Sequence, residues 1–330
     1  MATTVNSAFS EFMKDKVNLD SNATSTARSS RDNLISNVDA FSGADDFFQV
    51  YTERNINIGS FARKTKIREL DDIDIMICLS ADGNRTYLES GDCIYITGND
   101  TDSSNCLMTY GSTNLNSTKV INRFISKLSG LNDYKKAEMH KNQEAATLQL
   151  KSYTWNFDIV PCFYTTGDFY LIPDGSGNWK KTDPRIDSER TTSINQNHGG
   201  NLLNLIRLTK YWNKRKVTLT IPSYLLECMI LNRYNDMTAT DKWWIDLQFR
   251  DTLNYLSAAI MNDVNDPKGM QGNLNKFGYL DRKKISDALN AAYEKAKNAA
   301  QLETNDKDQK AAINKWREVL GTDFPEYTGD

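Results

Sequence analysis

Histidine and cysteine are scarce in this sequence, and they do not cluster. The 330 residues include two histidines, His140 and His198, and five scattered cysteines with no CxxC pair. A zinc site of Cys and His ligands needs several such residues at close spacing, so this class of site is not expected. A chain of this length can bury a core without disulfides or a structural metal. Any catalytic metal must therefore be held by carboxylates.

Long apolar runs and a strong charge imbalance are also missing. No apolar run approaches the ~20 residues needed to span a bilayer, and the first residues lack a basic segment followed by an apolar one. We therefore expect a cytoplasmic protein with no membrane contact. The net charge of −3 argues against general nucleic-acid binding. Local basic residues matter only if they converge on one cleft; they are Arg63, Lys64, Lys66, Arg68, Arg207, Lys210, Lys214, Arg215 and Lys216.

The two halves of the sequence have different patterns. The first fifty residues favour helices, and later segments such as 73–79 and 153–164 have the composition of buried strands. From residue 199 on, apolar residues recur with the helical period almost throughout. We therefore predict an α+β protein with a mixed sheet. Its expected domains are residues 1–185, with the N-terminal helices, and a helical domain of residues 186–330.

One segment combines a glycine-serine pair with two aspartates. Gly59 and Ser60 are followed twelve residues later by Asp72, and Asp74 lies two positions beyond it. Glycine allows close approach of the backbone to a phosphate, and serine offers an N–H and a hydroxyl to phosphate oxygens. At the strand period of two, both carboxylates point to the same side. Two such close carboxylates repel one another unless a divalent cation lies between them.

A third aspartate lies alone in a later apolar run. Asp158 stands within Tyr153–Pro161, where an isolated carboxylate is costly unless it is paired or bound to metal. If the two strands are neighbours, Asp158 completes a triad for a two-metal site. Each feature alone is typical of a turn, a cap or a solvated loop. Their order along the chain, however, indicates metal-dependent phosphoryl transfer.

These motifs resemble those of the DNA-polymerase-β-like nucleotidyltransferases. The closer resemblance is to the bacterial cGAS/DncV-like nucleotidyltransferases (CD-NTases), the second-messenger synthases of anti-phage (CBASS) defence. Residues 12–19 resemble the opening of that family's long spine-helix region, and residues 315–321 resemble its C-terminal end. These flanks are most similar to the HORMA-associated subgroup. The resemblance implies a nucleotidyltransferase core packed against a C-terminal helical domain, with a long N-terminal spine helix.

The resemblance also implies roles for residues of the second half. Lys210 matches a lysine that contacts the donor triphosphate, Ser223 a serine that contacts phosphate, and Tyr224 a tyrosine that stacks on the base. Ser223 is also predicted to cap a helix N-terminus, which is a natural anion site. Lys210 could instead be a surface lysine, and Tyr224 could belong to the core. The turn 173–179 resembles a segment near the acceptor nucleotide, although Trp179 could simply pack the loop down.

The function implied by the resemblance is template-independent synthesis of a cyclic di- or trinucleotide from nucleoside triphosphates, ATP among them. Two Mg²⁺ or Mn²⁺ ions are the implied cofactors, and a HORMA-type protein is an implied activating partner. Nothing resembles the zinc ribbon by which the animal sensor grips DNA, so DNA sensing of that kind is not expected. Two alternatives stay open: transfer to an RNA end, a small molecule or a linear oligonucleotide, and nucleotide sensing without catalysis. The bases, ring size and linkage of the product also stay open.

Overall fold

The computed structural model describes residues 1–83, 85–91, 93–215, 218–238 and 242–329. These residues form two compact units. The helical unit comprises residues 1–20, 64–69 and 186–330, and the mixed unit comprises residues 21–63 and 70–185. The first predicted domain thus includes two segments that the structure groups with the helical unit. The division into domains itself stays a prediction. No described helix is long and apolar enough to cross a bilayer.

The sheet of the mixed unit has nine strands among the described residues. Their order is β1-β2-β7-β8-β9-β4-β3, with the β5–β6 hairpin joined to β7 through β6. The strands β2 and β7 run parallel, and the other pairs within the described part of the chain are antiparallel. The bounds are β1 Ile56–Ile58, β2 Asp72–Leu79, β3 Tyr87–Ser90, β4 Cys93–Ile96, β5 Glu138–Asn142, β6 Ala145–Gln149, β7 Asn156–Tyr164, β8 Tyr170–Pro173 and β9 Trp179–Thr182.

Helices of both units make up the rest of the regular structure. The described residues of the mixed unit contain α2 Ser21–Ala40, α3 Gly59–Ala62, α4 Asp100–Ser104 and α5 Ser117–Ser129. The helix α5 is amphipathic and packs on the strands β5 to β8. The other helices are α1 Val5–Phe12, α6 Pro184–Asn197, α7 Leu202–Lys214, α8 Ser223–Asn235, α9 Ile245–Ala259, α10 Tyr279–Thr304 and α11 Gln309–Leu320.

The core of the helical unit joins the two ends of the chain. Phe9 of α1 makes edge-to-face contacts with Trp316 of α11 and with Phe324, and all three rings are buried. Such aromatic pairs contribute about 0.5–1.5 kcal/mol beyond the area that they bury. The backbone N–H of Val5 also donates to the side chain of Gln309 over 2.7 Å. The N-terminal helix is therefore part of the helical core.

The predicted α+β fold is confirmed, and three details differ. The N-terminal spine is interrupted, because α1 and the π-helix Met13–Val17 end at an extended Asn18 before α2 begins. The helical region ends at Ala40 rather than continuing to residue 50. The turn predicted at 173–179 leads directly into the short strand β9 and then into α6, neither of which the sequence indicates. Helix α6 is so polar that apolar periodicity could not predict it.

Candidate active site

The three predicted aspartates lie on paired strands of the mixed unit. In the parallel pair β2–β7, Asp74 is the register partner of Asp158, and Asp72 is the partner of Asn156. Register partners on neighbouring strands lie about 4.8 Å apart and point to the same face of the sheet. Since Asp72 precedes Asp74 by two positions, all three carboxylates belong to one face. The register thus places the three aspartates on one face of two paired strands, as the sequence interpretation had assumed.

Burial alternates over the first four residues of each of these two strands. The aspartates are partly exposed, whereas Ile73 and Ile75 on the other face of β2 are each 1% exposed. Phe157 and Ile159 of β7 are fully buried in the same way. This alternation sets the side-chain direction, because a shift of one residue would turn the carboxylates into the core. Packing of the apolar face therefore fixes where the carboxylates lie.

A threonine on the neighbouring strand orients Asp158. Thr147 of β6 is the register partner of Asp158, and its hydroxyl donates to the Asp158 Oδ1 atom over 2.5 Å. Thr147 is buried and Asp158 is partly exposed, so the hydrogen bond is shielded from water at the threonine end. The sequence interpretation did not include Thr147. Its only signal was a polar position in the alternating strand that precedes the Asp158 strand.

Gly59 lies directly against the Asp74 carboxylate. The strand β1 pairs with β2 so that Ile58 faces Asp74, and α3 begins at the next residue with Gly59 and Ser60. Gly59 has φ +72°, and a Cβ atom built on it would overlap the carboxylate of Asp74. Glycine is thus required here both for the backbone angle and for the close approach. The structure brings the glycine-serine pair and the second aspartate into one site.

The donor set of this face suits a hard divalent cation. Within the described residues, no three Asp, Glu, His or Cys side chains lie close enough together to hold a metal ion. The aspartates share a face without forming a closed ligand group. Mg²⁺ does not need an all-protein cage, because it is usually bound by one or two carboxylates together with water and substrate phosphates. The oxygen ligands of Asp72, Asp74 and Asp158 therefore fit Mg²⁺ or Mn²⁺.

Lys210 is buried in the helical unit. Its side chain on α7 forms an ion pair with Glu227 of α8, and its Nζ atom donates to the backbone oxygen of Thr65 over 3.1 Å. Lys210 is 5% exposed and Glu227 is 2% exposed. The alternative of a surface lysine is therefore wrong. Glu227 was missed, although one glutamate inside the apolar run of α8 is a signal of a buried charge that needs a partner.

Two of the basic stretches meet within the helical unit. Arg207 of α7 donates to the backbone oxygen of Lys64 over 2.6 Å and to the Oδ1 atom of Asn18 over 2.7 Å. Burial lowers the pKa of Arg207 to about 10. Arg207 and Lys210 thus hold the backbone of residues 64 and 65 rather than forming a solvated basic face. Lys216, another member of these stretches, lies outside the described residues.

The prediction that Ser223 caps a helix is wrong. The cap position of α8 is Pro222, Ser223 is the first helical residue, and no side-chain capping hydrogen bond is formed. The extended backbone of Pro222 ends the preceding segment, and its carbonyl accepts the N–H of Leu226 over 3.0 Å. A proline without an N–H suits this end of a helix. The predicted phosphate contact of Ser223 is a separate matter and stays a prediction.

Tyr224 is partly buried, and its hydroxyl group is anchored. It donates to Asp187 Oδ1 over 2.7 Å and to Asp266 Oδ1 over 3.0 Å, and it also contacts the Lys268 ammonium group. Its ring packs against the helical core. The three polar partners were not predicted, since Asp187, Asp266 and Lys268 lie 37 to 44 residues from Tyr224.

Trp179 is a packing residue of the mixed unit, where its ring lies edge-on to Phe163. The side chain is fully buried at the start of β9, and its Nε1–H donates to the backbone oxygen of Leu115 over 3.0 Å. This is the packing role that was considered as an alternative. It removes Trp179 from the candidates for a nucleotide contact.

Comparisons with known proteins show the family and the fold of the chain. No protein-family model matches the chain. The protein named "Probable cyclic nucleotide synthase" from Bacillus cereus (strain VD146) is 42% identical over 337 residues, which cover 99% of both chains. Two structures of E. coli MS115-1 CdnC, with ATP and in a complex with HORMA-deltaN, have TM-scores of 0.72 and 0.69 at 16% identity. Each covers 97% of this chain and 98% of the CdnC chain.

A more distant solved structure has the same fold. The Vibrio cholerae DncV cyclic AMP-GMP synthase has a TM-score of 0.58 at 15% identity, and the match covers 83% of this chain and 70% of that one. At such low identity the structural matches show the fold alone. The relative from Bacillus cereus, which is 42% identical over nearly the whole length, shows the family as well as the fold. On this basis, the chain belongs to the family of bacterial cGAS/DncV-like nucleotidyltransferases, which includes cyclic nucleotide synthases.

Proposed function

We propose that this chain is a metal-dependent, template-independent nucleotidyltransferase that joins nucleoside triphosphates, ATP among them, into a cyclic di- or trinucleotide. The observation that carries the proposal is the register of Asp74 with Asp158, with Gly59 packed against the Asp74 carboxylate. A phosphate next to Gly59 would lie beside the carboxylates, as a phosphoryl-transfer site requires. Membership of a family that includes cyclic nucleotide synthases supports the same activity.

The residues of the mixed unit have different roles in the proposed transfer. The N–H groups of Gly59 and Ser60, with the Ser60 hydroxyl, bind phosphate oxygens of the donor. Asp72, Asp74 and Asp158 would hold two Mg²⁺ or Mn²⁺ ions, and Thr147 keeps the Asp158 carboxylate oriented. Such ions would supply positive charge for the leaving pyrophosphate and would lower the pKa of the attacking ribose hydroxyl. The new P–O bond forms at the α-phosphorus while the bond to pyrophosphate breaks.

Three residues of the helical unit are proposed to bind the donor nucleotide. Lys210 and Ser223 would contact its phosphates, and Tyr224 would stack on its base. Because Lys210 is buried beside Glu227, a phosphate would have to share the ammonium group with that carboxylate. The backbone N–H groups of the first turn of α8, where Ser223 lies, suit an anion.

The wider setting of the reaction is also a proposal. The nucleotide product would act as a second messenger in anti-phage signalling in the cytoplasm. A HORMA-type protein is a candidate activating partner, since CdnC, which has the same fold over 97% of this chain, forms a complex with HORMA-deltaN.

The test is a reaction of the purified chain with all four ribonucleoside triphosphates and Mg²⁺ or Mn²⁺. Products that resist phosphatase are identified by mass spectrometry. The Asp72→Ala/Asp74→Ala variant is the control, and it should fold normally because both side chains lie on the partly exposed face of β2. We expect a resistant cyclic oligonucleotide from the native chain and none from the variant.

Two results would contradict the proposal. The first is an equal yield from the native chain and from the variant, which would remove the aspartates from the mechanism. The second is a product found only on an added RNA end or small molecule, which would make the chain a transferase for another acceptor. If product forms only after a HORMA-type protein is added, both the synthase and the partner are supported.

A further inference from the structure

A buried ionic cluster surrounds the hydroxyl group of Tyr224. Its members come from three segments of the helical unit that are distant in sequence. Asp187 lies in the first turn of α6, Tyr224 in the first turn of α8, and Asp266 and Lys268 in the loop between α9 and α10. We call these four residues the Lys268 cluster.

Lys268 lies at the centre of the cluster. Its Nζ atom is 2.9 Å from Asp266 Oδ1 and 3.1 Å from Asp187 Oδ2. The same Nζ atom contacts the Tyr224 hydroxyl and lies 4.3 Å from the centre of the Tyr224 ring. The side chain of Lys268 is 3% exposed and that of Asp266 is 0% exposed. Because little water reaches them, these contacts fix their geometry firmly.

Asp266 links the cluster to the fold of its loop. Its carboxylate accepts the backbone N–H groups of Met270 over 3.1 Å and Gln271 over 3.0 Å. Its own N–H donates to the Gly272 carbonyl over 2.9 Å. The turn of residues 266–272 is therefore built around the carboxylate that also binds Tyr224. A movement of the turn 266–272 would therefore move Asp266 away from the Tyr224 hydroxyl.

The cluster is a poor device for stability alone. Two carboxylates and one ammonium group lose their hydration on folding, which costs free energy. A protein with apolar residues of similar volume at these positions is often at least as stable. A phenylalanine at position 224 would fill the same space. Burial raises the pKa of Tyr224 above its usual value, so the hydroxyl stays protonated. Its single proton can be shared between Asp187 and Asp266 while its oxygen accepts from Lys268.

We propose that the Lys268 cluster fixes the ring of Tyr224 as a rigid platform for the nucleotide base, with Lys268 as the positioning residue. The axis of the ring is held at one end by the α8 backbone and at the other end by the hydroxyl group. The Lys268 ammonium group 4.3 Å from the ring centre, together with packing on the helical core, restrains rotation about that axis. This inference rests on the proposed role of Tyr224 in base binding. A platform fixed before binding loses less conformational entropy when the base stacks on it.

The test compares the binding of whole nucleotides with the binding of phosphate alone. Calorimetry measures the Kd values of α,β-methylene-ATP and of inorganic triphosphate for the full chain. Base stacking on an aromatic side chain contributes about 1–3 kcal/mol, so Tyr224→Ala should raise the Kd of the nucleotide by roughly 5-fold to 150-fold. Tyr224→Phe and Lys268→Met should each raise it about threefold to tenfold. None of the three should change the Kd of triphosphate.

A matched control separates positioning from general loosening of the fold. Tyr234 lies on the same helix, and its hydroxyl donates to Gln248 over 2.8 Å. Tyr234→Phe also removes one buried hydroxyl, but it should leave both Kd values unchanged. Lys268→Met on the Tyr224→Ala background should cause no further loss, because the platform is already absent.

The outcomes distinguish the inference from the function on which it rests. If Tyr224→Ala binds the nucleotide normally, the base-binding role is wrong and the inference fails with it. If Tyr224→Ala weakens binding but Tyr224→Phe and Lys268→Met do not, only the positioning role is overturned. Should Lys268→Met fail to fold, Tyr224→Phe decides, because it leaves Lys268 between both carboxylates.

Discussion

The mixed unit and the helical unit carry their charged groups in opposite ways. In the mixed unit, Asp72, Asp74 and Asp158 are partly exposed on a sheet face whose other side is apolar. In the helical unit, the ion pair of Lys210 with Glu227 and the charged side chains of the Lys268 cluster are almost completely buried. The first arrangement leaves carboxylate oxygens accessible to ligands. In the second arrangement, the charged side chains bind one another inside the helical unit.

This difference should separate activity from stability. A partly exposed carboxylate loses little hydration on folding, so its removal costs little stability. A buried charge that loses its partner is left without compensation. Substitutions on the sheet face should therefore impair catalysis in a folded protein. Substitutions in the buried pairs should lower the free energy of unfolding first.

The largest effect on stability is expected for Glu227→Ala. This change leaves the Lys210 ammonium group buried without its carboxylate, which costs about 3–5 kcal/mol. Urea denaturation measures the loss. The double variant Lys210→Met/Glu227→Leu removes both charges and should recover most of the stability.

An exposed pair in the same unit provides the control for Glu227. Glu294 and Lys297 are 3.9 Å apart on the surface of α10. The change Glu294→Ala should cost less than about 1 kcal/mol, because exposed ion pairs contribute little. An equal loss from Glu227→Ala and Glu294→Ala would contradict the contrast between buried and accessible charges.

The sequence predicted the sheet site better than the helical unit, and the reason is physical. Alternation along β2 and β7 is a local pattern, so the direction of Asp72, Asp74 and Asp158 follows from near neighbours. The pairing of β2 with β7 was a hypothesis that the register confirms. The glycine-serine pair belongs to the same short stretch of chain. Local patterns therefore predicted most of this site.

The buried pairs of the helical unit depend on contacts between distant segments. Glu227 meets Thr65 across 162 positions, and Lys268 meets Asp187 across 81 positions. Nothing in the local sequence specifies such partners. The prediction that Ser223 caps α8 was wrong for a different reason. A serine at a helix start is typical of a cap, but here Pro222 occupies the cap position. The roles of Lys210, Ser223 and Tyr224 in nucleotide binding stay predictions.

A smaller effect on stability, with a clear effect on activity, is expected for Gly59→Ala. Alanine at φ +72° costs roughly 1–2 kcal/mol, and its Cβ atom would displace the Asp74 carboxylate. Displacement of a reacting group by ~1 Å can lower the rate about 100-fold. Product formation and thermal unfolding are measured together. Gly111→Ala is the matched control, because Gly111 has φ +68° and open space around its Cβ position.

The two glycine variants separate backbone strain from close approach. Both should lose similar stability, but only Gly59→Ala should lose activity. If both variants lose activity equally, backbone strain explains the effect and the contact with Asp74 does not.

The smallest effect is expected for Thr147→Val, which changes one hydrogen bond and keeps the shape of the side chain. A hydrogen bond to a charged group contributes about 1.5–3 kcal/mol. Because Asp158 is partly exposed, we expect the lower end of that range, which lowers the rate roughly tenfold. The loss should appear in kcat rather than in KM, because Asp158 is proposed to act on the reacting groups rather than on the base. Thr147→Ser keeps the hydroxyl and should retain most of the rate. If Thr147→Val has the native kcat, the orientation of Asp158 must come from the strand register alone, and the mixed unit would then fix its carboxylates through the backbone.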